Sequence, residues 1–204
     1  MYYFTADTHF SGCNIIQREN RPYKNFMEMD EDIILRFNSK MTKDDILWHV
    51  GDFFNYNADD ISSWSRGIYF VRELNCKVCL IIGNNEERVI RDVFRGDFEY
   101  FRSWCVELGF LDVMRFAYLE LDNRIYYLNH YPIENDPKAF NLFGHVHRSM
   151  LSCRYGLNVG CDLSHFYPYN QKEIDALIRD KSKYTFRDIN VLSMCESILS
   201  KEVK

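Results

Sequence analysis

A chain of 204 residues falls in the size range of one folded domain, and burying roughly two-thirds of its unfolded surface removes any need for disulfides. Hydrophobic residues make up 47% and aromatics 16%, which excludes a disordered or low-complexity chain. Lys and Arg number 25 against 30 Asp and Glu, a net charge of −5; this excludes a general pull toward nucleic acid or anionic lipid but leaves room for a local anion pocket.

The elements follow one another legibly. Tyr2–Ala6 is a short apolar run and predicts a strand. Met27–Met41 carries Met29, Ile33, Phe37 and Met41 at helical spacing. Ile46–Val50 predicts a second strand, and Asp59–Leu74 a second helix with Ile61, Trp64, Ile68 and Val71 on one face. Val78–Ile82 predicts a third strand, followed by helices over Glu86–Arg95 and Phe98–Leu108. Phe116–Leu121 and Arg124–Asn129 predict a hairpin turning at Asp122-Asn123. Asn141–Phe143 and Leu157–Val159 predict short strands, and Lys172–Lys181 and part of the tail predict helix. Alternating strands and helices followed by hairpin-linked strands imply an α/β sandwich with mixed sheets. No repeat or Gly/Ser/Pro-rich linker divides the chain, so one domain over residues 1–204 is expected.

The seven cysteines form no disulfide framework, which suits a reducing compartment. Cys76 and Cys79 enter an apolar strand, where residues three apart face opposite sides, so this C-x-x-C reads as structural. The start Met-Tyr-Tyr-Phe-Thr-Ala-Asp has no basic or long apolar segment of a secretory signal, and no run of about 18 apolar residues predicts a membrane span. A cytoplasmic protein with no membrane partner is expected.

Polar residues gather where the predicted strands end. Asp7-Thr8-His9 follows the first, Gly51-Asp52 the second and Gly83-Asn84-Asn85-Glu86 the third. Asn129-His130 and Gly144-His145-Val146-His147 follow later strands. Ligands of open α/β folds collect at the carboxyl ends of strands. Each motif alone is commonplace: a D-x-H occurs by chance and Gly-Asp is usually a turn. Five of them in order, each at a strand end, point to one site. Mixed oxygen and nitrogen donors suit Mn, Fe or Zn and exclude a thiolate-based structural zinc. Glycine before the polar residue fits sharp turns or close approach.

This ordered set resembles the calcineurin-like metallophosphoesterase superfamily. Asp7-Thr8-His9-Phe10, Asn14-Ile15-Ile16, Asn20-Arg21-Pro22-Tyr23, His49-Val50-Gly51-Asp52 and Leu157-Asn158-Val159-Gly160 resemble its small bacterial and phage branch. The resemblance covers about residues 1–178 and leaves 182–204 unassigned. It implies a four-layer α/β/β/α sandwich with two mixed sheets. It implies two divalent metals: one on Asp7, His9 and His147, the other on Asn84, His130 and His145, with Asp52 bridging. Mn is expected in vitro, with Fe, Zn or Ni as alternatives. The implied activity is phosphoester hydrolysis by a metal-bridging hydroxide, with no protein nucleophile.

Two positions depart from the pattern. The family usually has His where Asn85 stands, and the small branch has His where Gly12 stands. Asn donates a hydrogen bond but delivers no proton near neutral pH, so diesters and readily departing leaving groups are favoured over monoesters. Asn85 and Asp52 are therefore the candidate catalytic residues, with Asn85, Arg148 and Arg21 as candidate substrate contacts. Arg148 either reaches a phosphate or is a solvated loop charge; Arg21 either holds the first loop or touches substrate. His49 is read as orienting a ligand or as a satisfied core histidine. The expected partner is a small phosphoester, a nucleotide among the candidates, without stable DNA binding, and the chain is expected as a monomer or homodimer. The rival functions are a noncatalytic metal-binding interaction module on the same fold and a small nuclease.

Overall fold

The computed structural model describes residues 1–57, 60, 62–132, 138–149, 152–153 and 155–181. Two five-stranded sheets form its centre. The first runs β10(Tyr169–Asn170), β1(Tyr2–Thr5), β2(Ile46–Val50), β3(Lys77–Ile81), β4(Asp112–Met114). The second runs β5(Ala117–Leu121), β6(Arg124–Leu128), β7(Phe140–Phe143), β9(Gly156–Asn158), β8(Ser152–Cys153). Both are mixed, as expected: β1 to β4 are parallel while β10 is antiparallel to β1, and β6, β7 and β9 are parallel while β5 and β8 are antiparallel.

Period-two alternation divides the core. Leu47, Val78 and Leu80 face the helices and meet Met29, Ile33 and Phe37 of α2(Phe26–Lys40), together with Val89 and Phe101 of α4(Asn84–Asp92) and α5(Phe98–Leu108). Trp48, Val50, Cys79 and Ile81 face the other way and meet Tyr126, Leu128, Leu142 and Leu157 of the second sheet. Each fully buried side chain of this kind contributes about 1.5–3 kcal/mol. α6(Gln171–Lys181) adds Ile174, Leu177 and Ile178 to this core, and Tyr126 Oη donates to Asp175 at 2.7 Å, so helices and two mixed sheets pack together as expected. No helix of the described residues is long and apolar enough to cross a membrane.

Local chemistry explains the element ends. Asn25 caps α2, its Oδ1 accepting from the Glu28 N–H at 2.9 Å. α4 begins two residues before the expected Glu86, where the Glu86 carboxylate reaches back to accept the Gly83 N–H at 2.7 Å and satisfies the donor at the helix start. Asp122 and Asn123 both have positive φ, 48° and 64°, which makes the hairpin turn tight enough to pair Leu121 with Arg124. The helix expected over Asp59–Leu74 is divided: α3 spans Ser62–Ile68 and a 3-10 turn spans Tyr69–Glu73, while residues 58, 59 and 61 lie outside the described set. Its apolar face persists through the change, with Trp64, Ile68 and Val71 all buried. Cys76 packs on the helical side and Cys79 between the sheets, the opposed facing that the strand requires. The tail expected to be partly helical beyond Lys181 lies outside the described residues.

Candidate metal centre

The carboxyl ends of the parallel strands meet at one rim. The backbone beyond β1 is stitched to both sheets: Asp7 N donates to Gly51 O at 3.0 Å, and Ala6 N donates to Val159 O at 3.1 Å. His9 N donates to Asp52 O at 3.0 Å, so the segments leaving β1 and β2 stay side by side past the sheet. On the second sheet, Gly144 N donates to His130 O at 3.1 Å, and His145 N donates to the Asp7 carboxylate at 3.0 Å. Residues as far apart as Asp7 and His145 are thereby neighbours.

The backbone is bent hard at this rim. Asp7, His9, Asp52, His145 and His147 have φ of 59°, 51°, 54°, 71° and 46°. Non-glycine residues rarely adopt this region, and clusters of them mark functional sites. Gly51 turns at φ 90° just before Asp52. A Cβ on Gly144 would lie 2.6 Å from both Ala6 Cβ and Asp7 Oδ2, so only glycine lets the two sheets close on each other here.

Two groups of donor atoms result. Asn84 Oδ1 lies 3.1 Å from His130 Nε2 and 2.9 Å from His145 Nδ1, so these three residues aim at one point. Asp7, His9 and His147 form a second buried group, with donor atoms within 4.8 Å of one another. Asp52 lies between the groups, 3.5 Å from His9 Nε2 and 3.7 Å from His130 Nε2. All seven residues predicted to hold metal are brought together.

Three observations fit a cation here. Asp7 and Asp52 have oxygens within 4.8 Å of each other in full burial, and among the described residues neither is ion-paired to Lys or Arg. Burial, with the Asp52 and Asp162 charges adding to it and His147 opposing it, pushes the Asp7 carboxyl up to about 7, and burial raises that of Asp52, a cost that a bound cation would offset. His9 Nε2 is buried with no hydrogen-bond partner. Burial also lowers His130 and His145 to about 3 and His9 well below its ordinary value, keeping the imidazoles neutral, as ligation requires.

The supporting residues were only partly legible beforehand. His49 is fully buried, and its Nε2 meets Thr8 Oγ1 at 2.9 Å; Thr8 Oγ1 in turn donates to Phe53 O at 2.7 Å. His49 therefore backs the Asp7-Thr8-His9 turn, and its hydrogen bond goes to Thr8. Glu86 accepts main-chain N–H groups from Asp52, Phe53 and Gly83, tying the second and third loops together. Asn85 is buried; its Nδ2 lies 3.2 Å from His9 Nδ1 and its Oδ1 accepts from Tyr56 N at 3.2 Å.

Of the two readings of Arg21, its contacts match the one in which it holds the first loop. Its side chain is 0% exposed, forks onto both oxygens of Asp162 at 2.8 Å, and donates to the carbonyls of Asp7 and Thr8. Every donor is turned inward, so Arg21 holds the first loop. Arg148 is exposed on the 3-10 turn His147–Ser149. Asp162 and Arg18 were missed. Asp162 Oδ2 accepts from His147 Nδ1 at 3.0 Å, and Arg18 Nη2 lies 2.9 Å from His147 Nε2. The Asp162 signal was Gly160-Cys161-Asp162, directly after the strand-end Gly; Arg18 had none, because its place depends on α1(Cys13–Arg18), which is too short for periodicity to reveal.

Two mixed sheets with an oxygen and nitrogen donor set at their shared rim are the architecture of the metallophosphoesterase fold. The family model for calcineurin-like phosphoesterases matches residues 2–193, and the chain belongs to that family. The chain is similar to the uncharacterized protein MJ1445 of Methanocaldococcus jannaschii, 29% identical over 85 residues, or 42% of this chain and 46% of that one. The match thus spans less than half of that relative's length. Its fold is similar to that of AQ665 from Aquifex aeolicus, a protein of unknown function, with TM-score 0.64 and 22% identity over 87% of this chain and 98% of that one. The E. coli phosphoesterase YfcE aligns more loosely, with TM-score 0.40 and 15% identity over 78% of this chain and 77% of that one.

Proposed function

We propose that this chain hydrolyses a small phosphoester with two divalent cations, preferring diesters to monoesters. One cation is assigned to Asp7, His9 and His147, the other to Asn84, His130 and His145, and Asp52 is shared. The carrying observation is the convergence of Asn84 Oδ1, His130 Nε2 and His145 Nδ1 beside the buried Asp7–His9–His147 group. Bound there, such cations supply Lewis acidity and an activated water.

The chain's own part is to hold and to charge-balance. Asp7 and Asp52 offset only half the charge of two divalent cations, which leaves the site attractive to an anion. The strained turns at Asp7, His9, Asp52, His145 and His147 fix the donors before substrate arrives, which avoids reorganisation during the reaction. The diester preference is supported by Asn85, an amide adjoining Asn84 and unable to protonate a leaving group.

The test is hydrolysis of bis-p-nitrophenyl phosphate and p-nitrophenyl phosphate with Mn²⁺ or with chelator, beside Asn85→His. Metal-dependent turnover, faster on the diester, is expected, and Asn85→His should narrow that difference. No turnover by folded protein with any divalent metal overturns the enzyme reading. An Asn85→His variant unchanged on every leaving group overturns the diester argument alone.

A further inference from the structure

We propose that Arg18 is the anion clamp of this site: its guanidinium binds a non-bridging oxygen of the substrate's phosphoryl group. The inference rests on the phosphoesterase reading above, and it names a residue that lies outside the strand-end motifs.

Arg18 is the last residue of α1, and its Nη2 reaches 2.9 Å from His147 Nε2 across the site. Its Nε is held by Glu19 Oε1 at 3.2 Å. The side chain is 58% exposed, so the head stands between solvent and the buried donors. Among the described residues it is the one cationic side chain hydrogen-bonded to a candidate ligand ring. Arg21 is enclosed, and Asn85 is engaged by His9 and Tyr56.

The chemistry of this contact decides the role. Asp162 Oδ2 can only accept, so His147 Nδ1 carries a hydrogen and Nε2 offers its lone pair. A guanidinium only donates, so Arg18 takes that lone pair. The same lone pair is the one His147 would give to a cation. Arg18 and a cation therefore cannot share it. Once displaced, Arg18 remains tethered by Glu19 at the rim of a cationic centre. Two like charges side by side repel, and an anion between them turns that repulsion into attraction. A phosphoryl oxygen is such an anion, and the planar fork of guanidinium N–H groups matches it.

The probe is inorganic phosphate binding to Mn²⁺-loaded protein by calorimetry, for wild type, Arg18→Gln, Arg18→Lys and Arg91→Gln. A Mn²⁺ titration without phosphate and steady-state kinetics on bis-p-nitrophenyl phosphate accompany it. Arg18→Gln should weaken phosphate binding by about 10- to 100-fold, from the loss of a charge-assisted hydrogen bond. It should raise KM more than it lowers kcat and leave Mn²⁺ binding no weaker. Arg18→Lys should restore only part of the phosphate affinity, because an ammonium lacks the fork. Arg91, exposed and paired with Asp92, controls for net charge, so Arg91→Gln should bind phosphate as wild type does. If Arg18→Gln binds phosphate as tightly as wild type while the enzyme still turns over, the clamp is wrong and the phosphoesterase reading stands. A Mn²⁺-loaded wild type that neither binds phosphate nor hydrolyses the diester overturns both.

Discussion

His130 and His147 stand on opposite sides of the site and are steadied in different ways. His130 points Nδ1 at the main-chain oxygen of Val50, 2.9 Å away. His147 points Nδ1 at Asp162, which is itself forked onto the buried Arg21. The first arrangement is neutral and built from backbone, so no point mutation removes the acceptor. The second is a chain of charges. Burial pushes the Asp162 carboxyl up, but the hydrogen bond to His147 and the Arg21 guanidinium outweigh it and hold it at about 2. Burial depresses His147, yet Asp7 and Asp162 raise it overall. His130 is thus oriented by a main-chain acceptor, whereas His147 is oriented by a chain of charged side chains.

Breaking the shared residue should erase the difference between the halves. Asp52→Asn is expected to lower the rate by about 10³-fold or more, since Asp52 faces both groups and an amide brings no charge. A variant that keeps near wild-type rate and metal content would remove Asp52 from the centre.

Breaking the charged half at its base should cost fold stability. Arg21→Met leaves Asp162 buried without its ion-pair partner and frees the carbonyls of Asp7 and Thr8. Urea denaturation should show a loss of about 3–5 kcal/mol. A loss near zero would mean that the network is dispensable.

A change at the other end of the pair tests orientation through metal affinity, although it also leaves the buried Arg21 without its counter-charge. Asp162→Asn keeps the shape but loses the charge beside His147, and should weaken metal binding by about 10- to 100-fold. Equal metal affinity in the variant would show that the two halves are held equally well by backbone.

The smallest expected effect lies just outside the site. Asp30 on α2 accepts the Ser11 N–H at 2.9 Å, and its Oδ1 is buried without a partner. Burial raises its carboxyl to about 7 from 3.8. The folded chain therefore binds this proton more tightly than the unfolded chain. Its contribution to stability rises as pH falls from about 7 toward 4, and its carboxylate costs stability above that window. Asp30→Asn keeps an acceptor for Ser11 and should stabilise the protein above pH 7 by on the order of 1–3 kcal/mol. The variant and wild type should converge near pH 4, and parallel stability profiles would overturn this account.

What the sequence determined by itself was the order of the long elements and the gathering of polar residues at the strand ends. Helical spacing in α2 and apolar runs in β1, β2 and β3 carry their own periodicity, and Asp7, His9, Asp52, Asn84, His130, His145 and His147 all follow strands. Alternation along a strand assigns its two faces locally, which also settled Cys76 and Cys79. What only the tertiary structure decided lies in contacts between distant segments. Strands of two or three residues, such as β10 and β4, exist because a neighbour offers them a ladder, not because of any pattern of their own. Arg21 carried two readings until Asp162, 141 residues away, closed around it. Arg18 carried none until the short helix α1 set it against His147, 129 residues on. Residue types report which chemistry is possible, but whether a charge is enclosed or faces the site depends on what the fold packs around it.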